Sequence, residues 1–179
     1  MPSPIAHAVS GYVLARLWPR TSSSPLSLSS VSIQSYYGVF VAIAADFDFL
    51  PQLLTGQDFH RGLTHTLIFA LGFSLALAGL TYQKFKYSYQ QMLLFTFGLY
   101  GSHLLLDWLT AGGQGMQLLW PLTEAYFKSP LSLFPAVHHS RGLLDLGHLV
   151  FISWELCYGL LILAGLKVWQ HSRSSRFSK

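Results

Sequence analysis

The sequence predicts an all-α membrane protein, a bundle of four to five apolar helices. Of its 179 residues, 51% are hydrophobic and 10% are charged, and its mean hydropathy is +0.40. Soluble domains carry about 25% charged residues, so this chain has too little polar surface for a water-soluble domain. A soluble bundle with unusually buried helices is the alternative.

Five apolar segments form the predicted bundle, at residues 5–18, 36–54, 64–82, 91–110 and 147–169. The last four are each about nineteen residues or longer, enough for a helix to cross a ~30 Å hydrocarbon core. The first is short, so it either tilts, thins the bilayer or lies in the interface. The Ser-rich residues 21–35 are expected to form a flexible linker. Residues 1–170 then make one membrane-embedded domain, and residues 171–179 a basic tail.

Charged residues separate into two layers. Eight of the eleven basic residues flank one set of segment ends: Arg16, Arg20, Lys84, Lys86, Lys167, Arg173, Arg176 and Lys179. The positive-inside rule makes this side cytoplasmic, together with the C-terminus. The acids and most histidines flank the opposite ends, so separate helices bring their ionisable groups to the non-cytoplasmic face. Ionisable groups within a membrane are functional candidates.

Composition and motifs exclude several classes of function. The single cysteine, Cys157, excludes a disulfide framework and a thiolate metal cluster. The net charge of +4 comes from scarce acids rather than abundant bases, which argues against nucleic-acid binding. The chain has neither His-Glu-x-x-His nor Gly-x-Ser-x-Gly, so a zinc-protease site and a serine nucleophile lack support.

His103 and Asp107 form the clearest pair of candidate metal ligands. Four residues apart on a helix, they project from one face about 6 Å apart and can share a metal. The alternative is a structural hydrogen bond between them. Asp46 and Asp48 precede Pro51, where a loosened helix end would let both carboxylates bind one cation. Capping of the next turn is the alternative for this pair.

The most specific string is HRGLTH, from His60 to His65. Gly62 permits a tight turn and Thr64 is expected to cap the next helix, so both histidines can approach one centre. Arg61 is the only basic residue of this loop. Its guanidinium suits a phosphate beside a metal, and anchoring to a lipid head group is the alternative.

Further candidates lie outside these strings. His7 lies on an apolar face of the first segment, and it joins the ligand layer if that segment crosses the membrane. The C-terminal third adds His138, His139, Asp145, His148 and Glu155. The last three share one helical face, and they either complete another metal site or satisfy one another. Nitrogen and oxygen ligands of this kind suit Zn²⁺, Mn²⁺ or Fe²⁺, and two or three ions could cluster here.

As a set, these strings resemble the YdjM-like family of membrane-bound, metal-dependent hydrolases, which is described as LexA-binding and inner-membrane-associated. The resemblance covers about the first two thirds of the chain and rests on His7 with Gly11, ADFD, HRGLTHTL, SHLLLDWLT and GMQLLWPL. The chain departs from the family pattern Pro-Asp-x-Asp-His at Ala45 and Phe49, and it matches poorly after Pro121.

That family is grouped with zinc-dependent phospholipase C and single-strand nucleases, which are helical enzymes. The resemblance therefore implies a phospholipase C-like arrangement of helices and ligands, with zinc as the metal. It implies site roles for Asp48 and His60, a membrane-lipid environment and LexA as a protein partner. It also implies a set of metal ligands: His7, Asp46, His65, His103 and Asp107.

The favoured hypothesis is a hydrolase that cleaves a phosphoester, a phospholipid among the candidates, by metal-activated water. Asp48 or His60 would accept a proton, and Arg61 would hold the phosphate. One alternative is a non-catalytic interaction or regulatory protein with a structural metal; its cytoplasmic partner would lie across the membrane from the site. A cation or proton transporter is the other, although the midspans are almost wholly apolar apart from Glu155.

Overall fold

The fold is helical throughout the described part of the chain. The computed structural model describes residues 3–19, 28–55, 61–135 and 146–177. These contain six α-helices, namely α1 (Pro4–Leu17), α2 (Leu28–Ile43), α3 (Phe49–Thr55), α4 (Leu67–Phe85), α5 (Tyr89–Trp108) and α6 (Leu146–Phe177). Two 3₁₀ turns, Ala44–Asp48 and Leu63–His65, precede α3 and α4. The described residues form no strand, only isolated β-bridges, which confirms the all-α class.

Two helices of the described residues are long and apolar enough to cross a membrane. They are Leu67–Phe85, which is α4, and Leu149–Arg173 within α6. By contrast, α1 has 14 residues and α2 has 16, fewer than the roughly 20 that a full span needs. Membrane-spanning length is therefore supported for two helices, fewer than the four to five predicted from sequence.

The predicted span at residues 36–54 is interrupted. α2 ends at Ile43, and a 3₁₀ turn and the short α3 follow. Pro51 lies in the first turn of α3, where its missing N–H costs no hydrogen bond. The same residue could not have continued α2, because within a helix it would remove a hydrogen bond and clash with the preceding turn.

The Ser-rich linker predicted at residues 21–35 is shorter than expected. α2 begins at Leu28, so the prediction was wrong for residues 28–35. Gln34 and Ser35 are buried, and Gln34 Nε2 donates to the carbonyl oxygen of Ala15, 2.9 Å away. Packing on α1 thus overrides the weak helix propensity of a serine-rich stretch.

Two glycines let α1 and α2 cross in close contact. A Cβ added to Gly38 would lie 2.6 Å from the Gly11 carbonyl oxygen and 2.6 Å from the Ala15 Cβ. Small residues at a crossing allow two backbones to approach closely, as in membrane helix pairs. This crossing fixes α1 on the bundle and, with it, the position of His7 one turn before Gly11.

Replacing Gly38 by alanine is expected to destabilise the protein by about 1–3 kcal/mol, the usual cost of overpacking. The atoms that the new methyl group meets include backbone, so the helices must separate. Gly72→Ala is the matched control, since a Cβ there meets no atom within 4 Å and alanine favours a helix. Thermal unfolding in detergent measures both variants, and equal melting temperatures would contradict the tight crossing.

α4 and α5 form a hairpin that carries much of the buried core. Lys86 ends α4 with a φ of 56°, and Ser88 and Gln91 form a capping box that begins α5. The largest buried apolar side chains of α5 are Phe95, Leu99, Tyr100 and Met92. α5 is therefore well packed along most of its length, and its last two turns hold His103 and Asp107 in fixed positions.

α6 is attached to α1 by polar contacts. Glu155 is buried and accepts hydrogen bonds from the backbone N–H and the hydroxyl of Ser3, at the start of α1. Ser10 and Tyr158 share a hydrogen bond of 2.8 Å. Glu155, the single acid in the middle of this apolar helix, thus contacts the start of α1. This contact explains the buried carboxylate without a bound metal.

The basic residues near the C-terminus continue a helix. α6 extends to Phe177, so residues 171–177, predicted as a separate tail, form its last turns. The Arg173 guanidinium lies over the Trp169 ring, 4.4 Å from its centroid. This contact favours continuation of the helix beyond the apolar stretch.

Candidate metal centre

Four separate elements supply one buried cluster of imidazoles and carboxylates. His7 comes from α1, Asp46 from the 3₁₀ turn after α2, and His65 from the 3₁₀ turn before α4. His103 and Asp107 come from the end of α5. All three histidines are fully buried. The five metal ligands expected from the sequence therefore lie together.

The donor atoms of the cluster lie within a few ångströms of one another. His65 Nε2 is 3.3 Å from His103 Nε2 and 3.4 Å from Asp107 Oδ2. His7 Nε2 is 3.3 Å from Asp107 Oδ1, and His103 Nε2 is 3.6 Å from Asp46 Oδ1. Two overlapping sets of three, which share His103, keep all their ligand atoms within 4.8 Å. This is a spacing at which one cation can contact several donors.

The hydrogen bonding of the cluster fits a cation. His7 Nε2 and both carboxylate oxygens of Asp107 are buried, and among the described residues they have ion-pair neighbours at 3.3–3.8 Å but no hydrogen bond of good geometry. A buried polar group left in this condition costs about 1–3 kcal/mol, and a charged group costs more. Buried donors and acceptors are otherwise satisfied in native proteins. A metal ion bound between them would remove this cost.

In His103 and His65, a contact at Nδ1 orients the ring so that Nε2 points into the cluster. His103 Nδ1 lies 2.8 Å from the carbonyl oxygen of Ala42, which can only accept, so Nδ1 carries the proton. His65 Nδ1 lies 3.2 Å from Asp48 Oδ2, which also accepts from the Thr64 hydroxyl at 2.7 Å. Each Nε2 is then turned towards the cluster, which is how metal-binding histidines are usually oriented.

The nearby carboxylates create a strongly negative electrostatic potential around His65. Burial lowers the pKa of this residue, which precedes the α4 span. Its contacts with Asp107 and Asp48 outweigh burial and raise the pKa to about 9. A field that stabilises a proton on His65 also favours a divalent cation, and the cation must displace that proton to bind. A metal ion that bound to His65 would therefore release a proton.

The two carboxylates of the ADFD string have different surroundings. They lie in a 3₁₀ turn, not in the extended chain that the sequence suggested. Asp46 lies beside His103 within the cluster, whereas Asp48 contacts the outer nitrogen of His65. That both carboxylates bind one cation stays a prediction: Asp46 belongs to a candidate ligand set, whereas Asp48 contacts the nitrogen of His65 that faces away from the cluster. In this geometry Asp48 positions His65.

The HRGLTH turn differs from its prediction in two ways. The residue with positive φ is Arg61, at 63°, and not Gly62. Thr66 caps α4 by accepting from the Phe69 N–H, whereas Thr64 binds Asp48. A non-glycine residue in the left-handed region is strained by about 1–3 kcal/mol, and such strain is concentrated at functional sites.

Arg61 lies at the edge of the cluster. Its Nε is 3.8 Å from Asp107 Oδ2, and its side chain is mostly buried. The guanidinium also approaches Gly113, where an added Cβ would lie 3.0 Å from Nη1. Lys128 Nζ donates to the Gly113 carbonyl oxygen at 3.4 Å. Arg61 and Lys128, which belong to the three basic residues outside the basic layer, therefore both approach Gly113.

The segment from Thr110 to Phe134 folds back over this end of the bundle. Bridges join Thr110 to Phe134 and Met116 to Phe127, and the Leu67 N–H donates to the Leu118 carbonyl oxygen at 2.9 Å. The segment begins at three glycines with positive φ, Gly112, Gly113 and Gly115. Lys128 is not among the site residues predicted from the sequence, although it lies in the chain between two apolar segments on the side opposite most basic residues.

Some predicted site residues fall outside the described residues. His60, His138, His139 and Asp145 are among them. His148 lies in the first turns of α6, and its side chain is outside the described part. Their predicted roles stay predictions.

Comparison with known proteins supports the membrane assignment. A family model described as YdjM inner membrane protein matches residues 1–176, a longer stretch than the strings quoted above. The chain is 31% identical over 144 residues to the inner membrane protein YbcI of Escherichia coli (strain K12), which covers 75% of this chain and 83% of the relative. No solved structure matches the chain significantly. With a family match over nearly its whole length, the chain belongs to the YdjM family of inner membrane proteins.

Proposed function

We propose that this protein is a membrane-embedded, metal-dependent hydrolase that cleaves a phosphoester. The observation that supports this most is the convergence of three imidazoles and two carboxylates, beside an arginine, in one buried cluster. Metal hydrolases use such nitrogen and oxygen donors. The phospholipase C-like ligand arrangement suggested by the sequence belongs to the same proposal.

The donor set suits zinc and offers ligands for two ions. His103 Nδ1 is engaged with Ala42, so only its Nε2 is available and it can bind one ion. Asp107 contacts His7 through one carboxylate oxygen and His65 through the other. One ion would take His65, His103, Asp46 and one oxygen of Asp107. A second ion would take His7 and the other oxygen.

The residues around the cluster suit a phosphoryl substrate. A divalent ion bound here would polarise a phosphoryl oxygen and acidify a water molecule. Arg61 presents a guanidinium, whose planar donors match phosphate oxygens. Asp48 keeps His65 in its orientation, and His60 is the proposed proton acceptor. We further propose that the site faces away from the cytoplasm, since the last turns of α1 and α4 carry Arg16 and Lys84, at the ends away from the cluster.

A non-catalytic membrane protein with a structural metal is the second candidate function. Complete burial of the three histidines favours it, because structural metal sites are closed whereas catalytic sites keep a position open to substrate. A protein partner such as LexA, which the family resemblance implied, belongs to this candidate.

Metal removal and reconstitution in detergent micelles tests the proposal. The protein stripped by a chelator is expected to lose hydrolysis of a soluble phosphodiester and to regain it with Zn²⁺ or Mn²⁺. His65→Ala should stay inactive after the metal is added. The control is His171→Ala, which removes an exposed histidine of α6. Bound zinc without hydrolysis of any phosphoester would exclude the enzyme and leave the structural site.

A further inference from the structure

An apolar groove lies directly beside the cluster of candidate metal ligands. Its volume is about 360 Å³, within the range of small-molecule sites. Phe40, Ala44 and Phe47 line it from the end of α2 and the 3₁₀ turn that follows, and Phe69 and Phe73 line it from α4. A volume of this size is too small for a partner helix, which is about 10 Å across with its side chains.

The inner end of the groove is polar and touches the site. Asp48 and Thr64 line it, and Asp48 Oδ2 is 3.2 Å from His65 Nδ1. The other nitrogen of the same ring faces the cluster, 3.4 Å from Asp107 Oδ2. A single imidazole therefore separates the groove from the candidate metal ligands.

The outer rim of the groove is apolar and exposed. Phe40, Phe47 and Leu63 are each about half exposed, at 45%, 46% and 54%. Phe69 and Phe73 belong to α4, one of the two helices long enough to span a membrane. The free energy of exposed aromatic and aliphatic side chains beside a membrane span is lower in contact with hydrocarbon than in contact with water. The groove therefore opens where the protein meets the bilayer.

We propose that the groove binds an acyl chain of a membrane phospholipid, which enters sideways from the bilayer and brings its phosphate to the metal cluster. This inference rests on the proposed function and names its substrate class. The Asp48 carboxylate at the inner end repels a phosphate, so the neutral part of the lipid occupies the groove. The phosphate then lies on the cluster side, where Arg61 supplies the positive charge.

Photo-crosslinking tests the groove without requiring turnover. Vesicles of phosphatidylglycerol and phosphatidylethanolamine with a diazirine at the end of one acyl chain are the probe, and peptide mass spectrometry locates the label. Label is expected on the peptides that contain Phe40, Phe69 and Phe73. Ala44→Leu narrows the groove from its wall and should reduce that label about tenfold. Leu63→Trp narrows the exposed rim, so it gives the same test if Ala44→Leu does not fold.

Leu71→Trp is the matched control. Leu71 is exposed on α4 and lies two residues from both Phe69 and Phe73, so it points away from the groove. It should leave the label unchanged. With a long-chain phospholipid as substrate, Ala44→Leu should turn over more slowly than the wild type by about the same tenfold factor, whereas Leu71→Trp should match the wild type.

The outcomes separate the two proposals. Label in the groove that Ala44→Leu or Leu63→Trp removes, with no hydrolysis of any phosphoester, supports the groove and overturns the proposed hydrolase. Hydrolysis of the soluble phosphodiester, with label spread evenly over the exposed faces of α4 and α6, overturns the groove and leaves the hydrolase standing.

Discussion

His103→Ala is expected to remove the bound metal while the helices stay folded. His103 is shared by both sets of candidate ligands, and its ring stacks on that of His7 with centroids 3.8 Å apart. Its loss removes one donor and leaves the His7 ring unsupported. Loss of a residue that merely orients a ligand weakens metal binding by about 10–100-fold, so loss of the ligand itself should exceed that range.

The measurement is the zinc content per chain of protein purified in detergent, by inductively coupled plasma mass spectrometry. Circular dichroism of the same samples reports helix content, which should be unchanged. His171→Ala is the control for loss of an imidazole, since His171 lies on α6 near its basic end. Equal zinc in His103→Ala and in the wild type would mean that this cluster is not a metal centre.

Arg61→Gln is expected to lower turnover by about 10²–10³-fold while the metal content is retained. That factor is typical for removal of one donor that stabilises charge in a transition state. Arginine and glutamine carry the same strain at the positive φ of this position, so the substitution changes the charge and not the turn. Arg61→Lys should be intermediate, because lysine keeps the charge but not the planar pair of donors.

Steady-state kinetics with a soluble phosphodiester, together with zinc analysis, tests this expectation. A lower kcat with unchanged zinc assigns Arg61 to the substrate. Lys84→Gln removes a positive charge at the opposite end of α4 and should have no effect. A wild-type rate in Arg61→Gln would mean that the guanidinium of Arg61 serves only as the partner of Asp107, 3.8 Å away.

The amino-acid sequence alone determined the helical class, the membrane family and the set of residues that meet. The helix repeat places His103 and Asp107 on one face, and scarce charge in apolar segments predicts helices whose polar groups need partners. His7 and Asp46 could be assigned to the same layer because each lies near the end of an apolar segment that points away from the basic side. The common layer needed only local periodicity and the cost of burying charge, whereas the family and the five-residue ligand set came from the resemblance of the sequence strings.

Only the tertiary structure decided how those residues are arranged. The close crossing at Gly11 and Gly38, the start of α2 within the Ser-rich stretch and the separation of Asp46 from Asp48 all depend on contacts between distant parts of the chain. The apolar groove is lined by residues from the end of α2, from both 3₁₀ turns and from α4, which are distant in sequence. Local propensity is a weak term that packing overrides, so no pattern within one segment could have shown which side of His65 each carboxylate would occupy.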